Sequence, residues 1–332
     1  MGEWAIGVKP LIGMHGLLHY WIAFFVSLLA IFIGCCLYTE DLPFNVLQQR
    51  WSKAQSQMIP LLPGLNLHLL DEGPRNNGNF PILLIHGTSS SLHTWDGWAE
   101  ELKKTYRVIR FDLPGFGLTG PDPSRNYTIA RYTNVVKTVL EKLEVNRVVI
   151  AGNSLGGQIA WGFTLDYPTI VSSLILIDSA GFPIAATSIP LGFRLARNPI
   201  ISPLVPFILP RFVVANSVRS VFGDPSKVTE QLIDRYFDLS LRQGNRQAVV
   251  DRFKIINAPS PTWRLREISC PTLILHGKLD RLIPLSQAKL FHQGIPGSKI
   301  VVFSTLGHVP QEEDPEATLL HLKSFLESLR ST

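Results

Sequence analysis

Residues 147–157 read Arg147-Val148-Val149-Ile150-Ala151-Gly152-Asn153-Ser154-Leu155-Gly156-Gly157, and this stretch decides the fold. RVVIA (147–151) is short, apolar and β-branched, as a strand buried on both faces should be. Residues 155–165 carry apolar side chains at three- and four-residue spacing, which predicts a helix. Ser154 therefore sits on a strand–turn–helix bend that needs small neighbours, here Gly152, Gly156 and Gly157, so that strand and helix can approach. Such a bend exposes the hydroxyl, and the helix N-terminus favours negative charge developing beside it.

Working outward, the same alternation repeats. PILLIH (81–86), RVIRF (107–111), SLILI (173–177), TLIL (272–275) and KIVVF (299–303) read as further strands, and residues 57–70 as one or two leading strands. Helical periods fill 92–104, 129–143 and 315–329. The expected fold class is α/β, a mainly parallel sheet with helices on both faces. The alternation breaks once, between SLILI and TLIL, where about ninety residues have helical character. Residues 182–264 within that insert hold eleven Lys/Arg against five Asp/Glu, which exceeds the net charge of +5 of the whole chain. That charge is mildly basic and unclustered, and no nucleic-acid motif accompanies it, so no nucleic-acid partner is expected.

Ligands of open α/β sheets bind beyond the carboxyl ends of the strands. A serine there is a weak nucleophile until a histidine base and an orienting acid activate it. Of nine histidines, His308 follows the last strand and precedes the last helix, late in the chain as the order serine, acid, histidine requires. Two acids satisfy that order: Asp178 ends SLILI, and Asp280 follows TLIL in His276-Gly277-Lys278-Leu279-Asp280. Asp112 precedes the serine and reads as a turn former, and Asp314 as an N-cap before Pro315. An oxyanion needs two donors. Leu155 N–H follows the nucleophile, and Gly87 lets the chain after PILLIH turn so that Thr88 N–H points inward.

The N-terminal region differs from the rest. No Asp, Glu, Lys or Arg occurs from residue 10 to 39, and YWIAFFVSLLAIFIGCCLY (20–38) is long and apolar enough to span a bilayer as one helix. It reads as an uncleaved, single-pass N-terminal anchor within residues 1–45, with Trp21 and Tyr38 near its ends. The alternative is a cleaved signal, or a lipoprotein cleavage at Cys35. Three cysteines, two of them adjacent, exclude a disulfide framework, and without a C-x-x-C pair a cysteine zinc site is excluded too.

Five motifs now stand in order: His86-Gly87 with Trp95, Asp112-x-Pro114-Gly115-x-Gly117, Gly152-x-Ser154-x-Gly156-Gly157, His276-Gly277-x-x-Asp280 and Gly307-His308. Together they resemble the α/β-hydrolase fold superfamily of the serine esterase and lipase type, from about residue 57 to the end. The resemblance implies Asp280 as the acid, a helical cap over residues 182–264, a hydrolase core of 46–181 with 265–332, and no metal or organic cofactor. Ser154 argues against haloalkane dehalogenases and epoxide hydrolases, which use an aspartate at this bend. The fit is closest to membrane-associated monoacylglycerol-lipase-like and bacterial lipase-like members. It implies a serine hydrolase that cleaves medium- to long-chain acyl esters, with a small-molecule or lipid ester substrate and a membrane as partners. Carbon–carbon bond hydrolases also carry Gly-Asn-Ser-x-Gly-Gly and stand as the alternative, with a non-catalytic binding module as the third. Finally, NPIISPLVPFILPRFVVA (198–215) is strongly apolar and broken by four prolines. It is expected to line an acyl pocket and dip into the membrane interface, with Arg194, Arg197, Arg211 and Arg219 meeting anionic headgroups.

Overall fold

A computed structural model describes residues 19–25, 27–28, 38–75, 77–183, 189–255 and 260–329. Helix α1 (Phe44–Trp51) leads into a hairpin of β1 (Gln57–Leu62) and β2 (Leu65–Glu72). β3 (Ile82–Ile85), a 3₁₀ turn at Leu92–Trp95, α2 (Asp96–Leu102), β4 (Val108–Phe111), α3 (Ile129–Lys142), β5 (Val148–Asn153), α4 (Leu155–Asp166) and β6 (Val171–Ile177) follow. Next come α5 (Leu191–Arg197), α6 (Arg211–Val221), α7 (Glu230–Ser240) and α8 (Asn245–Ile255). The chain then returns through β7 (Thr272–Gly277), α9 (Leu285–Gly294), β8 (Lys299–Phe303), α10 (Pro310–Glu313) and α11 (Pro315–Ser328).

The eight strands form one sheet in the order β1-β2-β4-β3-β5-β6-β7-β8. β1 and β2 pair antiparallel, β2 joins β4 antiparallel, and every other pairing is parallel. The strands of the parallel centre are buried on both faces, which is why they read as continuous apolar runs. Alternate residues serve opposite faces. Leu83 and Ile85 join Tyr132, Ile159 and Phe291 of α3, α4 and α9. Ile82 and Leu84 join Trp95 and Trp98 beside α2 together with Leu322 and Phe325 of α11. Each of these four β3 side chains is fully buried, worth about 1.5–3 kcal/mol apiece.

The parallel sheet with helices on both faces is as expected, with local differences. Residues 92–104 form a 3₁₀ turn before a short helix rather than one helix, because Asp112 accepts Leu92 N–H at 2.7 Å and pins the chain there. β8 lies at the sheet edge and is half exposed, although its sequence reads like a buried strand. The insert between β6 and β7 is helical among its described residues and has its own small cores, one around Val218, Phe222 and Ile233 and another around Ala196, Val250 and Phe253. Its prolines break the apolar run as expected: Pro203 opens a 3₁₀ turn and Pro210 precedes α6. Two of its arginines are placed differently from the expectation. Arg211 pairs with Glu230 and Asp234, and Arg219 with Glu230, so both charges are met inside the insert.

Among the described residues no helix is long and apolar enough to cross a membrane. The expected span at 20–38 lies mostly outside them. Residues 19–25 and 27–28 are helical, with Tyr20, Trp21 and Phe25 exposed.

Candidate active site

Ser154 occupies the turn between β5 and α4 with φ 55° and ψ −116°, a left-handed conformation that costs a non-glycine residue about 1–3 kcal/mol. The close approach behind it explains the glycines. A Cβ on Gly152 would lie 2.1 Å from Gly156 O, and one on Gly156 would lie 2.0 Å from Ile85 O. Leu155 opens the helix, so its N–H is one of the four that no intrahelical carbonyl satisfies.

His308 lies on the loop between β8 and α10, buried, with Nδ1 2.7 Å from Asp280 Oδ2. Burial alone would raise the Asp280 carboxyl, but the charge and hydrogen bond of His308, with the N–H of Ile283, hold it below its ordinary value. Its other oxygen accepts Leu282 N–H at 2.7 Å and Ile283 N–H at 2.8 Å. An ionised carboxylate at Nδ1 fixes the tautomer in which His308 Nε2 is the basic nitrogen.

Asp178 does not contact His308. It ends β6 with φ 43°, accepts Gly277 N–H at 3.1 Å and lies 3.3 Å from His276 Nδ1. Burial, then the neighbouring charge of Asp280, pushes its carboxyl well above the ordinary range. Burial likewise pushes His276 down to about 4, leaving it neutral, with Nε2 donating to Ile283 O at 3.1 Å. Donor atoms of Asp178, His276 and Asp280 lie within 4.8 Å of one another, spacing that could hold a metal. Both Asp280 oxygens and Asp178 Oδ1 are already engaged by Gly277, Leu282, Ile283 and His308, while Asp178 Oδ2 is buried without a partner among the described residues, so the group reads mainly as a hydrogen-bond network behind the histidine.

Thr88 follows β3 and lines the same cavities as Ser154. The N–H groups of Thr88 and Leu155 have no hydrogen-bond acceptor among the described residues. The loop is held by His86, whose Nδ1 lies 2.7 Å from Gly87 O while Nε2 accepts Leu113 N–H at 2.9 Å. Burial lowers the His86 pKa, consistent with a neutral ring that donates at one nitrogen and accepts at the other.

The remaining candidates fall elsewhere. Asp112 accepts Leu92 N–H, Leu118 N–H and the ring of His68, each at 2.7 Å, and so organises its loop. Asp314 caps α11 by accepting Ala317 N–H at 3.0 Å. Three residues not picked from sequence hold the site together. Asn153 Nδ2 donates to Ile177 O at 3.2 Å and to His308 O at 2.9 Å, joining the serine turn to the histidine loop. Glu313 accepts the N–H of Gly307, Gly223 and Asp224 at 2.8–2.9 Å, tying that loop to the insert. Glu312 pairs with Arg235 and accepts Tyr236 O–H at 2.7 Å.

Two cavities meet at Ser154, sharing Thr88, Phe193 and Leu282 as well. The one containing His308 holds about 130 Å³ and is largely apolar, with Val205, Leu209, Val213 and Val218 on its insert side. The other holds about 260 Å³ and is more polar, with Gln158, Arg197, Arg252 and Ser260.

A model of the alpha/beta hydrolase family matches residues 82–319. The 2-hydroxy-6-oxo-2,4-heptadienoate hydrolase of Pseudomonas putida is 29% identical over 286 residues, covering 82% of this chain and 97% of that protein. A solved membrane phospholipase A, described as a bacterial virulence factor, is similar at TM-score 0.74 and 25% identity over 95% of this chain and all of the other. A putative lipase from Acinetobacter baumannii has the same fold at TM-score 0.71 and 24% identity, over 88% and 98%. Since the family model spans more than two thirds of its length, the chain belongs to the alpha/beta hydrolase family.

Proposed function

We propose that this hydrolase is a serine esterase that cleaves medium- to long-chain acyl esters, of the monoacylglycerol kind, at a membrane surface. The observation that carries the reading is the 2.7 Å pairing of His308 with Asp280, with His308 and Ser154 on its strained turn lining the same largely apolar cavity. Ser154 Oγ attacks the ester carbonyl while His308 Nε2 takes its proton. The developing oxyanion is held by Thr88 and Leu155 N–H groups, worth about 2.7–4 kcal/mol for each donor. His308 returns the proton to the leaving alcohol, and a water then repeats the sequence on the acyl-enzyme. Asp280 keeps His308 in the required tautomer and stabilises the imidazolium.

The membrane part rests on the insert. Ile200, Leu204, Phe207 and Phe212 are exposed, Ile200 by 84%, whereas Val205, Leu209 and Val213 of the same run turn toward the acyl cavity. Thr39 N–H donates to Phe207 O at 2.8 Å, so the apolar segment at 20–38 ends beside this exposed patch. An anchor at 20–38 would hold the patch at the bilayer, where exposed apolar area is favoured. The membrane phospholipase A, which matches 95% of this chain, supports the same reading.

A fluorophosphonate probe should label the wild type once and leave Ser154→Ala unlabelled. Turnover of acyl esters should fall by at least about 10³-fold in that variant. Wild-type turnover in Ser154→Ala would overturn the assignment, and an unlabelled wild type would favour a binding module. A second reading, carbon–carbon bond hydrolysis, is favoured by the Pseudomonas putida relative. Consumption of a 2-hydroxy-6-oxo-dienoate faster than of any acyl ester would select it.

A further inference from the structure

The cavity of about 260 Å³ contains a buried arginine with no counterion among the described residues. Arg252 lines it from α8 and is 5% exposed, and its guanidinium makes no hydrogen bond or ion pair with any described residue. Its Nε is sealed from solvent with no partner. The other buried arginines each have a carboxylate partner, although Arg246 Nε and Nη1 are buried without a hydrogen-bond partner among the described residues. Arg107 bonds Asp71 through two nitrogens at 2.8 Å, Arg110 bonds Glu72 at 2.9 Å, and Arg246 Nη2 bonds Asp41 at 2.7 Å. Burial lowers the Arg252 pKa, yet an arginine stays charged at neutral pH and cannot escape the cost of burial by losing its proton. A buried guanidinium left open toward a cavity is complementary to an oxyanion, which it can grip through two parallel N–H groups.

The surroundings agree. Arg197 lines the same cavity and adds positive charge. Gln158 Nε2 donates to Ser260 Oγ at 2.7 Å, so this end is polar, whereas the cavity holding His308 is largely apolar, with Arg246, paired to Asp41, as its cation. Because both cavities open on Ser154, a substrate whose carbonyl sits at the serine has one arm in each.

We propose that Arg252 anchors an anionic group, a carboxylate or a phosphate, on the substrate arm that does not enter the apolar cavity. The preferred ester is then an anionic amphiphile rather than a neutral one. This rests on the esterase reading for its catalytic consequence but not for its binding consequence, and the test separates the two.

Three octanoyl esters differing only in the alcohol should be compared: glycerol, glycerol 3-phosphate and glycolate. In the wild type kcat/KM for the phosphate or the carboxylate ester should exceed that for the glycerol ester at least tenfold, and the better of the two names the source of the anion. Arg252→Gln should bring that ratio close to one, and Arg252→Lys should leave it between. In parallel, octyl phosphate or octanoate should raise the melting temperature of the wild type more than octanol does at equal concentration, a measurement that needs neither turnover nor a variant. Equal kcat/KM for all three esters together with equal shifts would overturn the anion site and leave the esterase standing. An anion-specific shift without cleavage of any ester would keep the site and overturn the esterase. A wild-type preference that survives in Arg252→Gln would take the role away from Arg252.

Discussion

Asp280 Oδ2 lies 2.7 Å from His308 Nδ1, and on its other side the same carboxylate shares a buried pocket with Asp178. Two carboxyls this close disfavour each other's charge in a dry site, so the histidine decides which is the stronger acid. His308 holds the Asp280 carboxyl below its ordinary value, whereas burial and the charge of Asp280 push Asp178 above it. Asp280→Asn would present an amide to Nδ1 and favour the wrong tautomer. It should cost about 10⁴ in kcat with little change in KM, read from steady-state kinetics on a soluble ester.

Asp178→Asn should behave differently. An amide keeps one oxygen acceptor, so the substitution preserves the contact with Gly277 N–H and leaves the Asp280–His308 pair in place. A loss in kcat of no more than about tenfold is expected. If Asp178→Asn cost more than Asp280→Asn, the acid would belong to the end of β6 instead.

What was legible in the sequence follows from range. The serine turn could be read because every requirement, strand, small neighbours and helix, lies within the nineteen consecutive residues 147–165. His308 could be read from chain order. The choice between Asp178 and Asp280 could not, since both end neighbouring strands and only the 2.7 Å contact separates them. Asn153, Glu313 and Arg252 were illegible for the same reason. Asn153 meets a carbonyl 155 residues away, Glu313 meets amides 89 and 90 residues away, and Arg252 is marked by lacking a partner among the described residues. β8 was misread as fully buried because an edge strand with apolar residues on both faces has the same local pattern as a central one.

Glu313 should matter to stability and rate together. Its carboxylate accepts three backbone N–H groups that have no alternative acceptor nearby, and two belong to the insert. Glu313→Gln would turn an amide donor toward some of them. Each lost charged hydrogen bond costs about 1.5–3 kcal/mol. A lowered melting temperature and a reduced kcat should appear in the same variant, since Gly307 adjoins His308. An unchanged melting temperature would show that the loop holds without it.

Buried histidines set the acid limit of the fold. Burial pushes both His93 and His276 down to about 4, against an ordinary value of 6.5 in the unfolded chain. Between pH 6.5 and about 4 the unfolded state therefore binds more protons, so stability should fall as the pH drops through that window. Asp178 acts in the opposite sense, because its folded pKa is raised. The histidine contribution is the one that His93 isolates, because it lies away from the Asp178–Asp280 pair. His93→Gln should flatten the decline in melting temperature between pH 7 and 4.5 relative to the wild type. A parallel decline in both proteins would assign the acid sensitivity to the other buried histidines, His276 and His86, instead.

Chain-length preference and membrane contact should separate along one stretch of the insert. Val213 and Val218 face the apolar cavity, whereas Leu204 and Phe207 are 53% and 55% exposed on its outer side. Val218→Trp would fill the cavity, and long acyl esters should lose ground to butyrate by about 0.8 kcal/mol for each methylene no longer accommodated. Leu204→Asp with Phe207→Asp should instead weaken binding to lipid vesicles and lower the ratio of vesicle to soluble-ester turnover, while the dependence on chain length among soluble esters stays as in the wild type. Exposed side chains cannot set a pocket's length, and cavity-lining ones cannot reach a bilayer. A doubly substituted protein that lost long-chain preference but kept vesicle binding would therefore reverse the two assignments and place the acyl chain on the outer face of the insert.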